Sequence, residues 1–400
     1  MARKKRATIK ELYYITHSNN LASIVEKGIL SHHSVVQANL KPEKIYDDDI
    51  VNKRRAKQAP DGNSLWHFAN VYFQARNPML YRVLHQYKIW QDIVVVAVKT
   101  TVLDIAGAFI ADGNAASTDT AIYPVDEGKE VLSDTWDIVS SEWWNGVDGS
   151  KRKIMAECLV PDKIAPEYIS TVYVSSHETA QRLSKQAWRN DIAIIPEPKM
   201  FFMPSARYRV ASNLVLAEGD LFFSSMQTLT VSVNTVGVMG KGLASRAKYQ
   251  FPDVYVAYQD ACRNKKLHMG KPFLYKREAS LEEELSADVG SEASAYSTGK
   301  VPNSVKRFLL FPTKRHWREN SDIDGIEQGL LWLSNNYQRE GITSLAIPAL
   351  GCGLGNLSWE DVGPLMCRYL AALEIQVVIY LPREKAIDKH YLTREYLLRQ

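Results

Sequence analysis

TLTVSVNTVGVMGKGLASRAKY, residues 228–249, sets the architecture of the second half of the chain. Apolar and β-branched residues predict a strand over Thr228–Val233, and apolar residues at helical spacing predict a helix over Leu243–Tyr249. The loop between them holds three glycines. Glycine lets backbone amides approach a phosphate closely, and the N-terminus of the following helix favours an anion. The stretch therefore indicates a phosphate-binding loop, although glycines needed only for a tight turn would give the same pattern.

A second glycine-rich loop, PALGCGLGNLSWED at 348–361, lies in the same way between a predicted strand and a predicted helix. The other elements expected around the two loops are strands at Leu214–Ala217, Arg307–Pro312, Ser344–Pro348 and Val377–Leu381, and helices near Val254–Asn264, Ile323–Arg339 and Trp359–Leu373. Alternation of strands with helices predicts a sheet covered by helices on both faces. Neither loop matches the P-loop or the G-x-G-x-x-G fingerprint, so we expect a diphosphate to bind without the usual nucleotide motifs.

The first half shows a less regular mixture of strands and helices. The expected elements are strands at Leu12–Ile15, 94–99 and 171–176, a helix that begins after Ser18–Asn20 and ends at Gly28, a helix over 177–186, loops over 110–153, an irregular linker over 196–212 and an exposed acidic loop over 279–300. Loops as long as the one expected at 110–153 are usually functional.

Length and composition limit the possible classes of protein. The chain has 400 residues, of which 46% are hydrophobic, enough for two or three domains with cores of their own. No apolar run approaches the roughly 18 residues of a membrane span, and the basic N-terminus lacks the apolar region of a signal peptide. The four cysteines are scattered, without a C-x-x-C pair, which argues against a metal site and favours a reducing cytoplasm.

The net charge of +4 does not by itself indicate a nucleic-acid partner. Basic residues nevertheless cluster at Arg3–Arg6, Lys53–Lys57 and Lys151–Lys153. These clusters allow a phosphate-containing partner without requiring one.

Four motifs in the second half resemble those of a macrodomain, the ADP-ribose-binding fold. AEGDL, VNTVGVMGKGLA, FPTKRHWR and PALGCGLGNLSWED occur in the family's order within residues 213–382. More narrowly, they resemble the DarG branch, which removes ADP-ribose from DNA bases. The resemblance implies that Asp220 binds the adenine, that Asn234 lies at the distal ribose and that Lys314 serves de-ADP-ribosylation. It also implies a diphosphate site formed by Gly240, Lys241, Gly242, Gly351, Cys352, Gly353, Leu354 and Gly355.

The chemistry of an amine supports the role of Lys314 independently of the resemblance. Cleavage of an N-glycosidic bond leaves negative charge on the departing base, which a protonated amine can stabilise or protonate. A surface lysine that contacts phosphate would fit the sequence as well. Arg315–Arg318 would suit a rim that faces nucleic acid, with Trp317 either stacking on a base or lying in the core.

The first half resembles the DarT family of ADP-ribosyltransferases, which use NAD to modify a base in single-stranded DNA. The resemblance covers about 9–200 through YYITHSNNLASIVEKGIL, DIVNKRRAKQAP, VYFQARNPMLYRV and AECLV, with PMLY at Pro78–Tyr81 among its most specific pieces. It implies that Arg54 is the catalytic arginine that contacts NAD and that Glu157 is the catalytic glutamate. The implied NAD-binding residues at the opening are Tyr14, Thr16, His17 and Asn20. Many relatives carry histidine in place of Tyr14, whose hydroxyl can still donate a hydrogen bond.

The residues alone leave simpler interpretations open for both catalytic positions. Glu157 lies in the apolar run KIMAECLV, where alternation along a strand would point it to solvent. Arg54 follows Asp47–Asp49, and pairing between these acids and the basic run would give a solvated helix face. In a transferase, the Glu157 carboxylate would hold a ribose hydroxyl, stabilise an oxocarbenium-like sugar and accept a proton from the base. Arg54 would grip the diphosphate of NAD and fix its position.

The 110–153 segment is expected to face the DNA. Trp136, Trp143 and Trp144, near Lys151–Lys153, would combine base stacking with phosphate contacts, unless Trp143 and Trp144 lie in the core. Reaching a base atom requires unpaired DNA or extrusion of the base from a duplex. Thymine and guanine both remain open as the modified base.

We therefore interpret the chain as a fused toxin–antitoxin of the kind used in phage defence. The expected fold is an α+β ADP-ribosyltransferase-like domain at 1–205, followed by an α/β macrodomain, a mixed sheet between helices, at 206–400. NAD is a substrate, single-stranded DNA and ADP-ribose are the other partners, the two domains contact each other, and no metal or membrane is involved. The alternative is a macrodomain that reads ADP-ribose without hydrolysing it, attached to a transferase that is inactive or acts on RNA or protein.

Overall fold

The computed structural model describes residues 9–45, 48–87, 90–145, 148–186, 191–277, 307–382 and 385–399. This part of the chain divides into two compact units, unit 1 ending at Phe201 and unit 2 beginning at Phe202. The predictions for the Arg3–Arg6 cluster, for Asp47 and for the loop at 279–300 fall outside the described residues.

Unit 1 is built on a large mixed sheet. Its strands are β1 (Glu11–His17), β2 (Ile29–Leu30), β3 (Phe68–Tyr72), β4 (Ile93–Lys99), β5 (Phe109–Ala111), β6 (Ile122–Pro124), β7 (Glu157–Pro161), β8 (Lys163–Ile164), β9 (Ile169–Val174) and β10 (Ala193–Pro196). Eight of these strands form one sheet in the order β10-β9-β4-β1-β3-β7-β5-β6, while β2 and β8 form a separate pair. Only the β9–β10 pairing in the large sheet is parallel among the described strands.

The helices of unit 1 accompany this sheet. They are α1 (Leu21–Lys27), α2 (His32–Gln37), α3 (Asp48–Ala56), α4 (Pro78–Tyr87), α5 (Val125–Val139), α6 (Ser150–Lys153) and α7 (His177–Ser184). Leu132 and Val139 of α5 join Ile110 of β5 and Val160 of β7 in one buried cluster. The interpretation of 110–153 as loops is therefore wrong, because its central part is a 15-residue helix whose apolar side chains enter the core.

Unit 2 has the expected alternation of strands and helices. Its strands are β11 (Ala206–Arg209), β12 (Leu214–Glu218), β13 (Thr228–Asn234), β14 (Phe273–Lys276), β15 (Arg307–Lys314), β16 (Ser344–Pro348) and β17 (Gln376–Tyr380), and its helices are α8 (Gly242–Gln250), α9 (Pro252–Arg263), α10 (Ile323–Asn336), α11 (Trp359–Leu370) and α12 (Arg394–Leu397). The sheet order is β11-β12-β17-β16-β13-β15-β14, with parallel pairings in the centre and an antiparallel strand at each edge.

Strand β15 shows how helices cover both faces of this sheet. Leu309 and Phe311 lie in the buried cluster formed with α10 and α11. The ring of Phe308 packs instead against Phe251, the residue between α8 and α9, with ring centroids 5.0 Å apart. Because successive side chains of a strand point to opposite faces, the sheet lies between two helix layers. The predicted fold class, an α+β half followed by an α/β half, is confirmed.

Element boundaries in unit 2 agree closely with the pattern of apolar residues. The strand at Ser344–Pro348 has the predicted bounds, whereas α10 ends at Asn336 rather than Arg339. The linker expected over 196–212 instead contains the edge strand β11, which pairs with β12. Its sequence ARYR carries no apolar pattern because the strand is half exposed.

Within the described residues, no helix combines the length and the apolar character that crossing a bilayer requires.

Gly329 on α10 generates a test of this packing. A Cβ atom on Gly329 would lie 2.5 Å from Cζ of Phe311. We predict that Gly329→Ala lowers the free energy of unfolding of unit 2 by about 1–3 kcal/mol, because overpacking outweighs the roughly 1 kcal/mol gained in helix propensity. Urea unfolding of the full chain measures this change. Asn335→Ala, at an exposed position of the same helix, is the control; equal stability of both variants would contradict the packing.

Candidate functional site

Unit 1 contains a cavity of about 290 Å³ walled by β1, β3, α3 and α4. This volume is close to the lower end of small-molecule sites, which span roughly 300–1,000 Å³. Tyr14 and Thr16 of β1, Asn20 of the turn that follows and Arg54 of α3 all line it. Four of the residues predicted to bind NAD therefore share one cavity.

Asn20 builds one wall of this cavity through its side-chain amide. Its Nδ2 atom donates to Oγ1 of Thr16 at 3.1 Å and to the carbonyl of Glu43 at 2.9 Å, and its Oδ1 atom accepts from the Glu43 amide at 2.8 Å. These bonds hold segment 40–45 against the end of β1. His17, also predicted to bind NAD, is not among the residues that line the cavity; its Nδ1 atom accepts from the amide of Asn19 and fixes the turn.

A buried ion pair joins Arg54, which lines the cavity, to Glu157, which is not among the residues that line it. Nη1 of Arg54 is 2.9 Å from Oε2 of Glu157, and their side chains are only 7% and 1% exposed. Glu157 begins β7, a strand between β3 and β5 in the sheet, and its carboxylate is covered by Arg54 of α3 and by the segment that carries Ala115. The second carboxylate oxygen, Oε1, accepts from the amide of Ala115 at 2.9 Å. Both oxygens are thus held in a fixed orientation.

Both simpler interpretations of these two residues are wrong. Glu157 does not point to solvent, and Arg54 does not lie on a solvated helix face. Nε and Nη2 of Arg54 are buried and have no hydrogen-bond partner in the described structure. An unpartnered buried N–H group is costly, so two of them beside a cavity fit a ligand that supplies acceptor oxygens. A diphosphate has this chemistry.

Lys57 holds the segment that carries Ala115. Its Nζ atom donates to the carbonyls of Ser117 at 2.5 Å and Thr120 at 3.0 Å. Burial lowers the pKa of Lys57, while the nearby charge of Glu157 opposes this shift. The basic run at Lys53–Lys57 thus contributes two residues to the interior of the site rather than a uniformly solvated patch.

The second basic cluster and the tryptophans differ from the prediction of a DNA-facing surface. Lys151 is buried, and Nη1 of Arg152 pairs with Oδ1 of Asp112 at 2.7 Å. Trp144 is fully buried, with its ring 6.1 Å from that of Tyr81. The prediction that Trp144 stacks on DNA is therefore wrong, because this residue belongs to the core. Trp136 and Trp143 are partly buried, and Trp136 packs against the core.

The structure also adds residues that the sequence did not indicate. Arg82 and Met79 of α4, and Asn114 of the segment after β5, line the cavity. His32 lines it too, and its ring stacks on Trp66 at 5.1 Å. Burial, followed by the charges of Arg54 and Lys44, lowers the pKa of His32 to about 4, so its imidazole is neutral near pH 7. The PMLY motif was the only sequence signal that pointed to α4.

In unit 2, Asp220 lies in a small aromatic environment after β12. Its Oδ1 atom accepts from the amide of Phe222, and its Oδ2 atom is 2.7 Å from Nη1 of Arg246 on α8. The Arg246 guanidinium stands over the rings of Phe222 and Phe223, at 4.9 and 5.8 Å from their centroids. A buried carboxylate beside aromatic faces suits a flat heterocycle with an exocyclic amine.

The first glycine-rich loop is organised by Asn234 at the end of β13. Its Oδ1 atom accepts from the amides of Val236 and Val238 and from the hydroxyl of Tyr258, and its Nδ2 atom donates to the carbonyl of Val238. Both polar atoms of this side chain therefore serve the loop itself. Gly242 begins α8 with φ +58°, a conformation that favours glycine.

The second glycine-rich loop touches the first. A Cβ on Gly242 would lie 3.0 Å from Cδ1 of Leu354, and one on Gly355 would overlap the Oγ atom of Ser321. This buried Oγ has no hydrogen-bond partner in the described structure, and no motif in the sequence pointed to Ser321. The Cys352 side chain lies in the core, and burial raises the pKa of its thiol to about 12. Only the backbone of Cys352 is therefore placed to serve a ligand.

Lys314 ends β15 between the two loops. Its Nζ atom donates to the carbonyls of Glu319 at 2.8 Å and Leu354 at 3.4 Å. Burial lowers the pKa of Lys314, and the charge of Glu319 opposes that shift. Trp317, which follows closely, is 48% exposed, so the interpretation of Trp317 as a core residue is wrong.

No group of three or more His, Cys, Asp or Glu side chains is arranged to hold a metal ion in the part of the chain that the structure describes.

Comparison with known families finds a matching family model for each unit. Residues 13–202 match the family model of DarT, the ssDNA thymidine ADP-ribosyltransferase, and residues 231–366 match that of the Macro domain. A DNA ADP-ribosyl glycohydrolase of Thermus aquaticus is 35% identical over 173 residues, which cover 43% of this chain and 42% of that relative.

One relative spans both units. The DNA ADP-ribosyl transferase-DNA ADP-ribosyl glycohydrolase fusion protein of Thermosipho africanus is 55% identical over 389 residues, covering 97% of this chain and 98% of the relative. The solved structure of Thermosipho africanus DarTG in complex with ADP-ribose superposes with a TM-score of 0.90 at 54% identity, covering 97% of this chain and all of that one.

The environment of Lys314 yields a titration test. We predict that its pKa lies below the 10.5 of a free lysine side chain and falls further in Glu319→Gln, because the opposing carboxylate charge is lost. The pH dependence of amine labelling, mapped by mass spectrometry and normalised to the exposed Lys266, measures both values. A higher pKa in Glu319→Gln than in the wild type would contradict the assignment.

Proposed function

The chain belongs to the family of DNA ADP-ribosyl transferase–DNA ADP-ribosyl glycohydrolase fusion proteins, and from that membership we propose that it both attaches ADP-ribose to DNA and removes it. The transferase activity is assigned to residues 1–205, which use NAD as a substrate. The macrodomain at 206–400 binds ADP-ribose and acts as the DNA ADP-ribosyl glycohydrolase. The observation that carries the proposal in unit 1 is the buried ion pair between Glu157 and Arg54, the second of which lines the cavity.

Arg54 is proposed to bind the diphosphate of NAD. Its Nε and Nη2 atoms are buried without partners, while Nη1 is already engaged by Glu157. The guanidinium can therefore contact the carboxylate and a phosphate together, which fixes the substrate relative to Glu157. Tyr14, Thr16 and Asn20 complete the binding surface, and His17 supports it by holding the turn.

Glu157 is proposed to act at the ribose. The bond from the anomeric carbon to nicotinamide breaks, and positive charge develops on the sugar, which a nearby carboxylate stabilises. A ring nitrogen of the acceptor base then bonds to the same carbon, and its proton passes to the carboxylate. The two hydrogen bonds from Arg54 and Ala115 keep the carboxylate in one orientation for both steps.

Single-stranded DNA is the proposed acceptor, and thymidine the proposed nucleoside. The DarT family model, which describes a ssDNA thymidine ADP-ribosyltransferase, matches 13–202 and supports both assignments. A base in a single strand is also accessible without the cost of unpairing.

In the macrodomain, Lys314 is proposed to assist departure of the base. Water adds to the anomeric carbon, the bond to the base nitrogen breaks, and a proton must reach that nitrogen. A lysine whose pKa is lowered gives up its proton more readily than a free one. Asp220 is assigned to the adenine, Asn234 to the distal ribose through the loop it organises, and the backbone of Gly240, Lys241, Gly242, Gly351, Cys352, Gly353, Leu354 and Gly355 to the diphosphate.

Fusion fixes the two activities at a ratio of one to one and raises their effective concentration for each other. We place the protein in the cytoplasm, where NAD and DNA are both available and where the unpaired cysteines of the described structure would stay reduced.

Replacement of Glu157 tests the transferase. We predict that Glu157→Gln loses about 10²–10⁴-fold or more of its rate of transfer to DNA, because an amide neither stabilises the sugar cation nor accepts the proton. NAD binding, measured by calorimetry, should persist since Arg54 remains. Glu178→Gln, at an exposed position, is the control. Unchanged transfer in Glu157→Gln would exclude Glu157 from the mechanism.

Replacement of Lys314 tests the hydrolase and the acceptor together. We predict that Lys314→Ala, given NAD and a panel of oligonucleotides, accumulates a stable adduct of one ADP-ribose on a thymidine, because removal is lost. Mass spectrometry identifies the modified base. An adduct on RNA or protein but on no oligonucleotide would contradict the DNA assignment. Wild-type protein that binds ADP-ribose but never releases it from this adduct would support a macrodomain that only reads ADP-ribose.

A further inference from the structure

Four exposed apolar side chains surround the Lys314 site. Val236 and Val238 of the first loop are 48% and 40% exposed, Trp317 is 48% exposed and Leu354 of the second loop is 55% exposed. We call these four residues the apolar rim. Exposed apolar side chains that are grouped on neighbouring segments are more typical of a binding site than a single exposed apolar residue is.

Hydrogen bonds connect the three segments that carry the apolar rim. The amide and the hydroxyl of Thr235 both bind the carbonyl of Arg315, at 3.1 and 2.9 Å. Lys314 reaches the carbonyl of Leu354, whose side chain lies against Gly242. The segments that carry the rim are therefore connected to one another and to Lys314, the amine that the proposed hydrolysis uses.

Trp317 has the features of a stacking platform. Its indole is half exposed, the Arg318 guanidinium lies 4.6 Å from the ring centroid and the His316 ring lies 5.3 Å away. Aromatic rings that carry an adjacent cation bind single-stranded nucleic acids, because a base stacks on the ring while the cation meets a phosphate.

The charges near Trp317 agree with a phosphate-containing partner. Lys241 and Arg318 are exposed, and Arg315 pairs with Asp322 at 3.2 Å while remaining 68% exposed. Glu319 is an acid in the same segment, and its carboxylate accepts from the amide of His316. A duplex hides the faces of its bases, so an exposed ring flanked by cations favours a single strand.

We propose that the apolar rim binds the unmodified nucleotides that flank the ADP-ribosylated base, with Trp317 stacking on one of the neighbouring bases. The inference rests on the proposed hydrolase function and adds a subsite to it. The macrodomain then recognises the DNA strand as well as the ADP-ribose group. Because of this subsite, we expect the macrodomain to prefer ADP-ribosylated DNA over the free ADP-ribosyl nucleoside.

Comparison of two substrates distinguishes DNA binding at the subsite from the hydrolysis reaction itself. The full chain, without NAD, is given an ADP-ribosylated single-stranded oligonucleotide or the ADP-ribosyl nucleoside released from it by nuclease digestion. We predict that Trp317→Ala raises KM for the oligonucleotide roughly tenfold, as expected for loss of one stacked base, and leaves kcat and the nucleoside reaction unchanged. Trp317→Phe should restore most of the oligonucleotide affinity.

Tyr249→Ala is the matched control, because Tyr249 is 54% exposed and carries Lys248 over its ring, but lies in the last turn of α8. Binding of free ADP-ribose shows that each variant is folded. Equal KM values of Trp317→Ala and wild type for the oligonucleotide, or equal losses on both substrates, would overturn the subsite. Failure of wild-type protein to release ADP-ribose from either substrate would instead overturn the proposed hydrolase function.

Discussion

The first half of the protein depends on burying two opposite charges, Glu157 and the Arg54 guanidinium that lines the cavity. Removing such charges from water costs several kcal/mol per ion, and attraction offsets this cost only when the geometry is good and further hydrogen bonds are made. Glu157 must begin a central strand, α3 must bring the guanidinium to it, and segment 112–121 must turn to present the amide of Ala115. One interaction thus fixes three regions far apart in the sequence.

The proposed mechanisms use groups of opposite charge in the two units, a carboxylate in unit 1 and an amine in unit 2. The transferase presents a fully buried carboxylate, which suits a sugar that becomes positive while a base attacks it. The macrodomain presents an amine, Lys314, whose pKa is lowered by burial and which suits a base that departs with negative charge. Each group is held by backbone or arginine partners, so little reorganisation is needed as charge develops.

The local pattern of apolar residues predicted the secondary structure and burial of the second half better than those of the first half. Strand β16 and its neighbours are continuous apolar runs between glycine-rich loops, a pattern with few competing explanations. In the first half, burial depends on partners distant in sequence: Arg152 pairs with Asp112, 40 residues earlier, and Glu157 pairs with Arg54, 103 residues earlier. The two neighbouring tryptophans also differ in burial, because Trp144 is buried and Trp143 is only partly buried. The burial of these side chains depends on tertiary contacts, which a short stretch of sequence does not reveal.

The two units leave the ribosome in a fixed order, with unit 1 first. When Phe201 has been added, the residues up to 366, where the match to the Macro domain ends, remain to be made, which takes about 8–33 s at roughly 5–20 residues per second. A transferase that folds during this interval has no finished hydrolase on its own chain. Fusion therefore gives equal amounts of the two domains, but the transferase domain is completed before the hydrolase domain. Reversal of modification is a form of protection that suits this order of synthesis.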